Sequence, residues 1–420
     1  LVIKNIKNKS KICILGDYDV DGSCSTALLI KFFKSINHPF FFYIPDRIKD
    51  GYGPSTKLFK KIISKSPKLI IMVDCGSNSI DAVNYLNENN IDSLIIDHHQ
   101  INKPYPKANS IINPKKNNGY IKYDYICATS LTYFFLDLLI DKLNIKTNFI
   151  LENFVIYVLL ATVCDVMPLR FLNRLIAIKT LNKFQLNNVA PIKKIYEILD
   201  KKNKISIDDL GYLIGPILNS GGRLSKSNYA TELLSTNDEK NMTSIINKLI
   251  KLNEQRKKIE QKILEEIDFS QIEKDNKNII IIYKLNLNEG LIGIIAARLK
   301  EYFNKPAIVI TNSNDFLKGS ARSIPNFDIG LGINSALDQK LIINGGGHKM
   351  AAGFSLKKAK LKDFIKHMNV LYLKANIDNQ KNLFFYESKI STTAFNKDFY
   401  NEIDKLSPFG TTNNEPLFLF

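Results

Sequence analysis

Short apolar runs alternate with longer amphipathic stretches over the first quarter of the chain. The runs are rich in Ile, Leu, Val and Phe, and the stretches between them carry apolar residues at helical spacing. Such alternation is typical of a parallel β-sheet whose strands are connected by covering helices. The predicted strands are Ile12–Leu15, Phe40–Ile44, Leu69–Val73, Leu94–Ile96 and Ile111–Ile112.

The pattern changes after this region. Residues 125–200 have mostly helical periodicity, and a long polar amphipathic helix is predicted from about Asn237 to about Ile267. A second alternating region then begins. Its predicted elements are the strands Ile279–Tyr283, Ala307–Thr311 and Phe316–Arg322 and the helix Leu291–Phe303. The predicted fold class is therefore α/β, with a parallel-sheet lobe joined by a long helix to a smaller α/β lobe.

Composition limits the class of protein. A chain of 420 residues with 45% apolar and 24% charged residues has the composition of a folded protein with two or three domains. The longest apolar run, Phe154–Val163, is about half of the roughly 20 residues that a membrane-spanning helix needs, so no membrane association is expected. The five cysteines are scattered without a Cys-x-x-Cys pair, which indicates reduced core thiols in a cytoplasmic protein.

The net charge of +17 fits a polyanionic partner held through phosphate contacts. However, the chain is saturated with Lys, Asn and Ile, a bias that an AT-rich coding sequence would impose without any ligand. Charge alone therefore leaves nucleic-acid binding and simple solubility equally open.

Acidic residues stand where three of the predicted strands end. Asp17, Asp19 and Asp21 follow the first strand, Asp74 follows the third, and Asp97-His98-His99 follows the fourth. The carboxyl ends of parallel strands meet at one edge of a sheet, where ligands bind. Carboxylates crowded in this way remain ionised together only beside cations. Oxygen ligands with one or two imidazoles suit Mn²⁺ or Mg²⁺, in contrast to the sulfur-rich set typical of structural zinc, so the sequence predicts a two-metal hydrolytic centre.

Each acidic residue also has a simpler interpretation. Asp17-x-Asp-x-Asp-Gly resembles a calcium loop, but its twelfth position is Leu28 instead of Glu. Asp74 alone would most often cap a helix, and Asp97 alone would form a turn. Asp165 ends the apolar run Leu159–Cys164, where burial without a partner would be costly and a metal ion would satisfy the carboxylate.

Ten short motifs occur in one order over nearly the whole chain: Gly16–Gly22, Pro45–Gly53, Val73–Gly76, Asp97–His99, Ile112–Pro114, Ala161–Leu169, Gly215–Leu224, Glu289–Gly293, Lys318–Ser323 and Gly345–Gly353. Together they resemble the DHH phosphoesterase superfamily, and in particular its single-stranded-DNA exonucleases. The resemblance implies that two Mn²⁺ or Mg²⁺ ions are bound by Asp19, Asp21, Asp74, His98 and Asp165. It places Asp17 and His99 beside them, in contact with metal, water or the scissile phosphate.

The resemblance also implies a division of the chain. Residues 1–235 correspond to a catalytic DHH domain, 236–270 to the connecting helix and 271–375 to a DHH-associated, substrate-binding domain. Residues 376–420 correspond to the start of a C-terminal oligonucleotide-binding-barrel region, which the chain cuts short.

Arginine is rare, with seven against 51 lysines, yet Arg47, Arg223 and Arg322 all lie in Gly- or Ser-rich motifs that are predicted to be loops. Bidentate phosphate contacts suit arginine at such positions, and the backbone amides of the glycine-rich segment Gly345–Gly347, also predicted to be a loop, would complete the phosphate-binding surface. Tyr52 is a candidate for stacking on an unpaired base, although a core tyrosine is equally consistent. The candidate substrate-binding residues are Arg47, Tyr52, Asn219, Arg223, Ser320, Arg322, Ser323, Gly346, Gly347 and His348.

The function that the resemblance implies is 5′ to 3′ hydrolysis of single-stranded DNA to mononucleotides, in DNA repair and recombination. It also implies a monomer whose partners include a single-stranded-DNA-binding protein and a helicase. Two alternatives remain. One is a DHH phosphodiesterase acting on short oligonucleotides, cyclic dinucleotides or pyrophosphate. The other is a non-catalytic DNA-binding scaffold, which the full set of acidic residues disfavours.

Overall fold

A computed structural model describes residues 1–47, 49–51, 53–116, 122–144, 147–313, 315–375 and 385–420. The chain divides into two compact units. The first contains Leu1–Asn253 together with Phe385–Phe420, and the second comprises the described residues of Glu254–Phe384. Among the described residues, no helix is both long and apolar enough to cross a membrane.

The first unit is built on a five-stranded parallel sheet, which confirms the predicted sheet. Every residue of its first and third strands is buried, because helices cover both faces. The spatial order is β2-β1-β3-β4-β5. The strands are β1 (Ile12–Leu15), β2 (Phe40–Tyr43), β3 (Leu69–Val73), β4 (Asp92–Ile96) and β5 (Ser110–Ile112).

Helices pack on both faces of this sheet. Asp19 caps the second helix, and its carboxylate accepts a hydrogen bond from the Gly22 amide. Most residues of this helix are buried in the larger apolar cluster. The third and fourth helices cover the opposite face, where they form a separate cluster. The helices of this unit are α1 (Val2–Lys7), α2 (Val20–Ser35), α3 (Thr56–Ile63), α4 (Ile80–Glu88), α5 (Ala128–Leu143), α6 (Val155–Cys164), α7 (Phe171–Lys183), α8 (Ala190–Ile198), α9 (Gly215–Leu224) and α10 (Tyr229–Ser235).

The predicted long helix is present as α11 (Glu239–Glu265), which contributes residues to both units. The second unit has a mixed sheet with the order β6-β7-β8-β10-β9, in which only the first pair is parallel. Its strands are β6 (Ile280–Tyr283), β7 (Ala307–Ser313), β8 (Phe316–Arg322), β9 (Asn344–His348) and β10 (Ala351–Leu356). Its other helices are α12 (Phe269–Asp275), α13 (Ile292–Phe303), α14 (Ile329–Asp338) and α15 (Leu361–Lys374).

The last described segment belongs to the first unit. It contains β11 (Ser388–Lys389), α16 (Lys397–Asp404) and β12 (Phe418–Leu419). The Leu169 amide, in the loop after α6, donates a 2.7 Å hydrogen bond to the Thr411 carbonyl and so fixes this segment to the body of the unit.

Two of the predicted loop positions are wrong, since Arg223 lies in α9 and Gly345–Gly347 belong to β9. Arg322 ends β8, which confirms the predicted strand Phe316–Arg322 instead of a loop at this position. The glycines favour a loop by composition, but here they allow strands to approach closely. A Cβ on Gly347 would lie 2.3 Å from the Ala351 carbonyl oxygen of the neighbouring strand. Of the three arginines, only Arg47 lies in a turn, as predicted.

Candidate active site

The loop between β1 and α2 positions three carboxylates. Asp17 is buried and accepts a 2.7 Å hydrogen bond from the Tyr18 amide, while Asp19 caps α2. Asp21 lies in the first turn of the same helix. The loop folds back over the helix start so tightly that a Cβ on Gly22 would lie 2.6 Å from the Asp17 backbone nitrogen. Only glycine at position 22 permits this arrangement.

Asp21 is held by the start of α5, more than 100 residues further along the chain. One carboxylate oxygen accepts hydrogen bonds from the Thr129 amide at 2.7 Å and its hydroxyl at 2.6 Å, and the other accepts from the Ala128 amide at 2.8 Å. The free amides of a helix start favour a negative charge. We did not predict this contact, because nothing near Asp21 in the sequence indicates it.

His98 lies at the centre of a group of three carboxylates. Its Nε2 atom is 3.3 Å from Asp74 Oδ1, 3.4 Å from Asp165 Oδ2 and 3.5 Å from Asp21 Oδ2. Asp74 directly follows β3 and has a positive φ of 59°, and Asp165 caps the carboxyl end of α6. Four residues that are widely separated in sequence therefore meet at one edge of the sheet.

Asp97 organises the neighbouring turn. Its Oδ1 atom accepts hydrogen bonds from the amides of His98 and His99 and lies 2.8 Å from His99 Nδ1. Its Oδ2 atom accepts from the Ser77 amide at 3.0 Å. Asn113, after β5, donates to the Ser77 hydroxyl and to the His99 carbonyl. Asp97 and Asn113 thus orient His99, a role that we did not assign from the sequence, although both residues follow predicted strands.

The proton affinities of these groups reflect their crowding. Burial, reinforced by the charge of Asp19, raises the pKa of Asp17 to about 7 and that of Asp21 to about 6. Burial and the charge of Asp21 raise the pKa of Asp74 and of Asp165 well above the usual carboxyl value. The protein fold thus holds several carboxylates where their ionisation is unfavourable without added positive charge.

His99 and Asp97 behave as an ion pair. Burial alone would lower the pKa of His99, but the hydrogen bond to Asp97 and its charge outweigh burial and raise that pKa to about 9. Burial likewise opposes ionisation of Asp97, yet the hydrogen bond and charge of His99 hold its pKa far below the usual value. His99 is therefore cationic at neutral pH.

These residues fit divalent cations. Three overlapping sets have ligand atoms within 4.8 Å of one another: Asp17-Asp19-Asp74, Asp21-His98-Asp165 and Asp74-His98-His99. Both carboxylate oxygens of Asp74 are buried and accept no hydrogen bond from the described residues, which leaves them available as ligands. An oxygen-rich set with imidazole nitrogen and without thiolate is suited to Mg²⁺ or Mn²⁺.

Two predicted phosphate-binding residues lie beside this centre. The Arg47 guanidinium stacks 4.3 Å from the centroid of the Tyr18 ring, and its charge acts on Asp17. Helix α9 packs so closely on the same loop that a Cβ on Gly222 would lie 2.9 Å from the Tyr18 carbonyl oxygen. This contact places Arg223 near Tyr18, with Asn219 one helical turn earlier. Tyr52 lies outside the described residues.

The remaining candidates lie in the second unit. Strand register aligns Arg322 with Ala351 and His348, and Ser320 with Gly353 and Gly346. All six share one face of the sheet, because residues two apart in a strand point the same way. A Cβ on Gly293, at the start of α13, would lie 3.0 Å from Ser320 Oγ and 3.3 Å from Arg322 Nη2, so this helix borders the arginine. A Cβ on Gly346 would meet nothing within 4 Å, so this face is open around Gly346.

Two residues differ from this group. The Ser323 hydroxyl is buried and donates a 2.6 Å hydrogen bond to the Phe327 carbonyl. Gly347 lies between Gly346 and His348 on the strand, so its Cα faces the opposite side of the sheet. The structure therefore brings Ser320, Arg322, Gly346 and His348 to one surface, and it places Ser323 and Gly347 away from that surface.

Comparison with known proteins is consistent with this geometry. The DHH family N-terminal domain matches residues 11–162, and the DHHA1 domain matches residues 276–372. The single-stranded-DNA-specific exonuclease RecJ of Bacillus subtilis is 28% identical over 98% of this chain and 52% of its own length. RecJ of Haemophilus influenzae is 29% identical over 100% of this chain and 76% of its own length. RecJ of Escherichia coli is 30% identical over 84% of this chain and 65% of its own length. The chain thus spans between about half and three quarters of these relatives.

Solved structures show the same fold. RecJ from Thermus thermophilus in complex with Mn²⁺ superposes with a TM-score of 0.84 and 21% identity, covering 99% of this chain and 60% of that one. A manganese-bound exonuclease RecJ gives a TM-score of 0.74 and 23% identity over 89% of this chain. These matches confirm the predicted fold class. With its DHH domain followed in order by a DHHA1 domain, the chain belongs to the DHH family.

Proposed function

We propose that this chain is a metal-dependent phosphodiesterase that degrades single-stranded DNA from its 5′ end to mononucleotides, in DNA repair and recombination. The observation that carries the proposal is the convergence of Asp21, Asp74 and Asp165 around His98, with Asp17 close to Asp74. Burial and mutual repulsion raise the pKa values of all four carboxyl groups. The curated relatives named above are single-stranded-DNA-specific exonucleases, and their similarity over nearly the whole chain supports the same substrate class here.

Two Mn²⁺ or Mg²⁺ ions would be held by Asp19, Asp21, Asp74, His98 and Asp165, with Asp17 beside them. When bound, such ions activate water at neutral pH and neutralise charge on the phosphoryl oxygens. The amides of α5 orient Asp21, so its carboxylate is fixed before any ligand arrives. Relief of the carboxylate repulsion makes metal binding favourable.

His99 would act on the substrate. It is cationic at neutral pH and partly exposed, so it can donate a hydrogen bond to a phosphate oxygen or a proton to the leaving group. Arg47 and Arg223 add positive charge near Tyr18, where bidentate phosphate contacts are possible. On the second unit, Ser320, Arg322 and His348 form a surface that suits backbone phosphates of a strand.

Hydrolysis of end-labelled oligonucleotides tests the proposal. In Mn²⁺ or Mg²⁺, the purified protein should release labelled mononucleotide at once from the 5′-labelled thirty-nucleotide strand and only late from the 3′-labelled strand. The corresponding duplex should resist. Absence of hydrolysis in both metals would contradict the activity, and turnover of a dinucleotide but not of the long strand would favour the short-substrate alternative.

The Asp97→Asn variant tests the role of His99. The substitution preserves the shape of the side chain but removes the charge, so the pKa of His99 should fall from about 9 to its ordinary value near 6.5 or below. The alkaline limb of the kcat/KM profile should move down by the same amount, which lowers activity at pH 8 roughly 30-fold while largely preserving it at pH 6. Asp92→Asn, at the opposite end of β4, is the matched control. If kcat/KM depended on pH in the same way for Asp97→Asn and Asp92→Asn, the role of cationic His99 would be refuted.

The proposal extends to the cellular setting. We propose a cytoplasmic monomer that cooperates with a single-stranded-DNA-binding protein and a helicase, as the resemblance to DNA-processing exonucleases implies. The five free cysteines, four of them buried, are consistent with a reducing compartment. Sedimentation velocity would measure the oligomeric state, and a dimer would contradict this part of the proposal.

A further inference from the structure

An exposed aromatic side chain lies close to the metal centre along the chain. Phe171, six residues after Asp165, leaves 75% of its surface exposed. Its φ of 44° lies in the left-handed region, which is unfavourable for a residue with a bulky side chain. An exposed phenylalanine in a strained conformation contributes little to folding, and such strain concentrates at functional sites.

The residues beneath Phe171 hold it in place. The Tyr125 ring is buried, and its centroid lies 6.0 Å from that of Phe171. The Leu172 amide donates to the Tyr125 hydroxyl, and buried Asn173 donates to the carbonyls of Tyr125 and Pro168. The ring of Phe171 is thus supported on one side by Tyr125 and open to solvent on the other.

A cation accompanies the ring. The Arg170 guanidinium lies 5.9 Å from the Phe171 ring centroid and 5.1 Å from that of Tyr125, and it pairs with Asp124 at 3.2 Å. An aromatic face beside an arginine is the combination that binds successive bases and phosphates of an unpaired strand.

The position of this group relates it to the metal centre. Tyr125 precedes Ala128, whose amide binds Asp21, by three residues. Asp165 precedes Phe171 by six residues, which limits their separation to about 20 Å even in an extended chain. A strand whose phosphate reached the metal centre would therefore have its next few bases within reach of the ring.

We propose that Phe171, supported by Tyr125 and Arg170, is a stacking platform for an unpaired base of the bound strand. The inference rests on the proposed function, since it assigns part of the binding path of the same substrate. It predicts that affinity depends on the presence of a base and little on which base it is, because every base offers an aromatic face.

Four variants test the platform. Phe171→Ala should raise KM for (dT)30 hydrolysis about tenfold with kcat within about twofold, while Phe171→Trp should retain the wild-type value. Phe171→Gly should raise KM equally but also raise Tm, since glycine adopts the left-handed conformation without strain. Phe134→Ala removes an exposed aromatic ring from α5 and should change neither.

A second measurement separates base stacking from other roles and from failure of the activity. Fluorescence polarisation of labelled (dT)12 in EDTA reads binding without hydrolysis, and the same variants should rank in the same order. A strand with abasic sites over its first six nucleotides should bind wild type and Phe171→Ala equally. Unchanged binding by Phe171→Ala, or an equal loss on the abasic strand, would overturn the platform. Absence of hydrolysis with base-dependent binding intact would contradict the nuclease activity alone.

Discussion

Asp74→Asn is expected to lower hydrolysis of single-stranded DNA by about a thousandfold or more. Asp74 belongs to two of the three sets of residues suited to a cation, and its oxygens accept no hydrogen bond within the described part of the chain. Loss of this carboxylate removes a ligand from two of these three sets, and the bound ions would supply the charge that stabilises the transition state. No other single substitution in the centre should have a larger effect.

The same substitution should stabilise the metal-free protein. The charge of Asp74 is buried and repelled by its neighbours, so a neutral amide of equal size removes an unfavourable interaction. Titration calorimetry with Mn²⁺ and thermal melting in EDTA would measure both effects. Asp81→Asn, an exposed acid in the first turn of α4, is the control and should leave activity and stability unchanged. More than a tenth of wild-type activity in Asp74→Asn would rule out the assigned role.

The sheet could be predicted because burial on both faces requires continuous apolar runs. Strands β1 and β3 were predicted at their observed bounds for this reason, and β4 differs by two residues because Asp92 and Ser93 lack an apolar signature. Because the carboxyl ends of parallel strands meet at one edge of a sheet, Asp17, Asp74 and His98 are predicted to lie near one another without any knowledge of the helices. These three residues thus follow from the strand ends of a single sheet, whereas Asp21 and Asp165 lie on or cap helices.

Contacts between distant elements could not be predicted. Asp21 is oriented by amides at the start of α5, and Arg223 reaches Tyr18 because Gly222 allows two backbones to touch. Both depend on packing and leave no local signal in the sequence. The wrong loop prediction for Gly345–Gly347 has a related cause, since glycine favours turns and close strand pairing alike, and only the partner strand distinguishes them.

The pH dependence of stability gives the second large expected effect. The pKa of Asp17 is raised to about 7 and that of Asp21 to about 6, so between pH 4 and pH 7 the folded protein binds more protons than the unfolded chain. The free energy of unfolding must therefore fall as pH rises through this window. His99, with a pKa raised to about 9, continues the decline above pH 6.5, while the lowered pKa of Asp97 acts in the opposite direction only below about pH 4.

Divalent cations should reverse this loss. Because burial and the charge of Asp19 oppose ionisation of Asp17 and Asp21, the metal-free fold loses stability as these carboxyl groups ionise toward pH 7.5. Saturating Mn²⁺ should therefore raise Tm by about 10 °C at pH 7.5 and by much less at pH 5, where protons already neutralise the carboxylates. Melting curves in EDTA and in Mn²⁺ across this range measure the difference. A Tm in EDTA that stays constant from pH 5 to pH 7.5 would mean that ionisation of the buried carboxyl groups does not destabilise the metal-free protein. Relief of their repulsion could then not be the reason for metal binding.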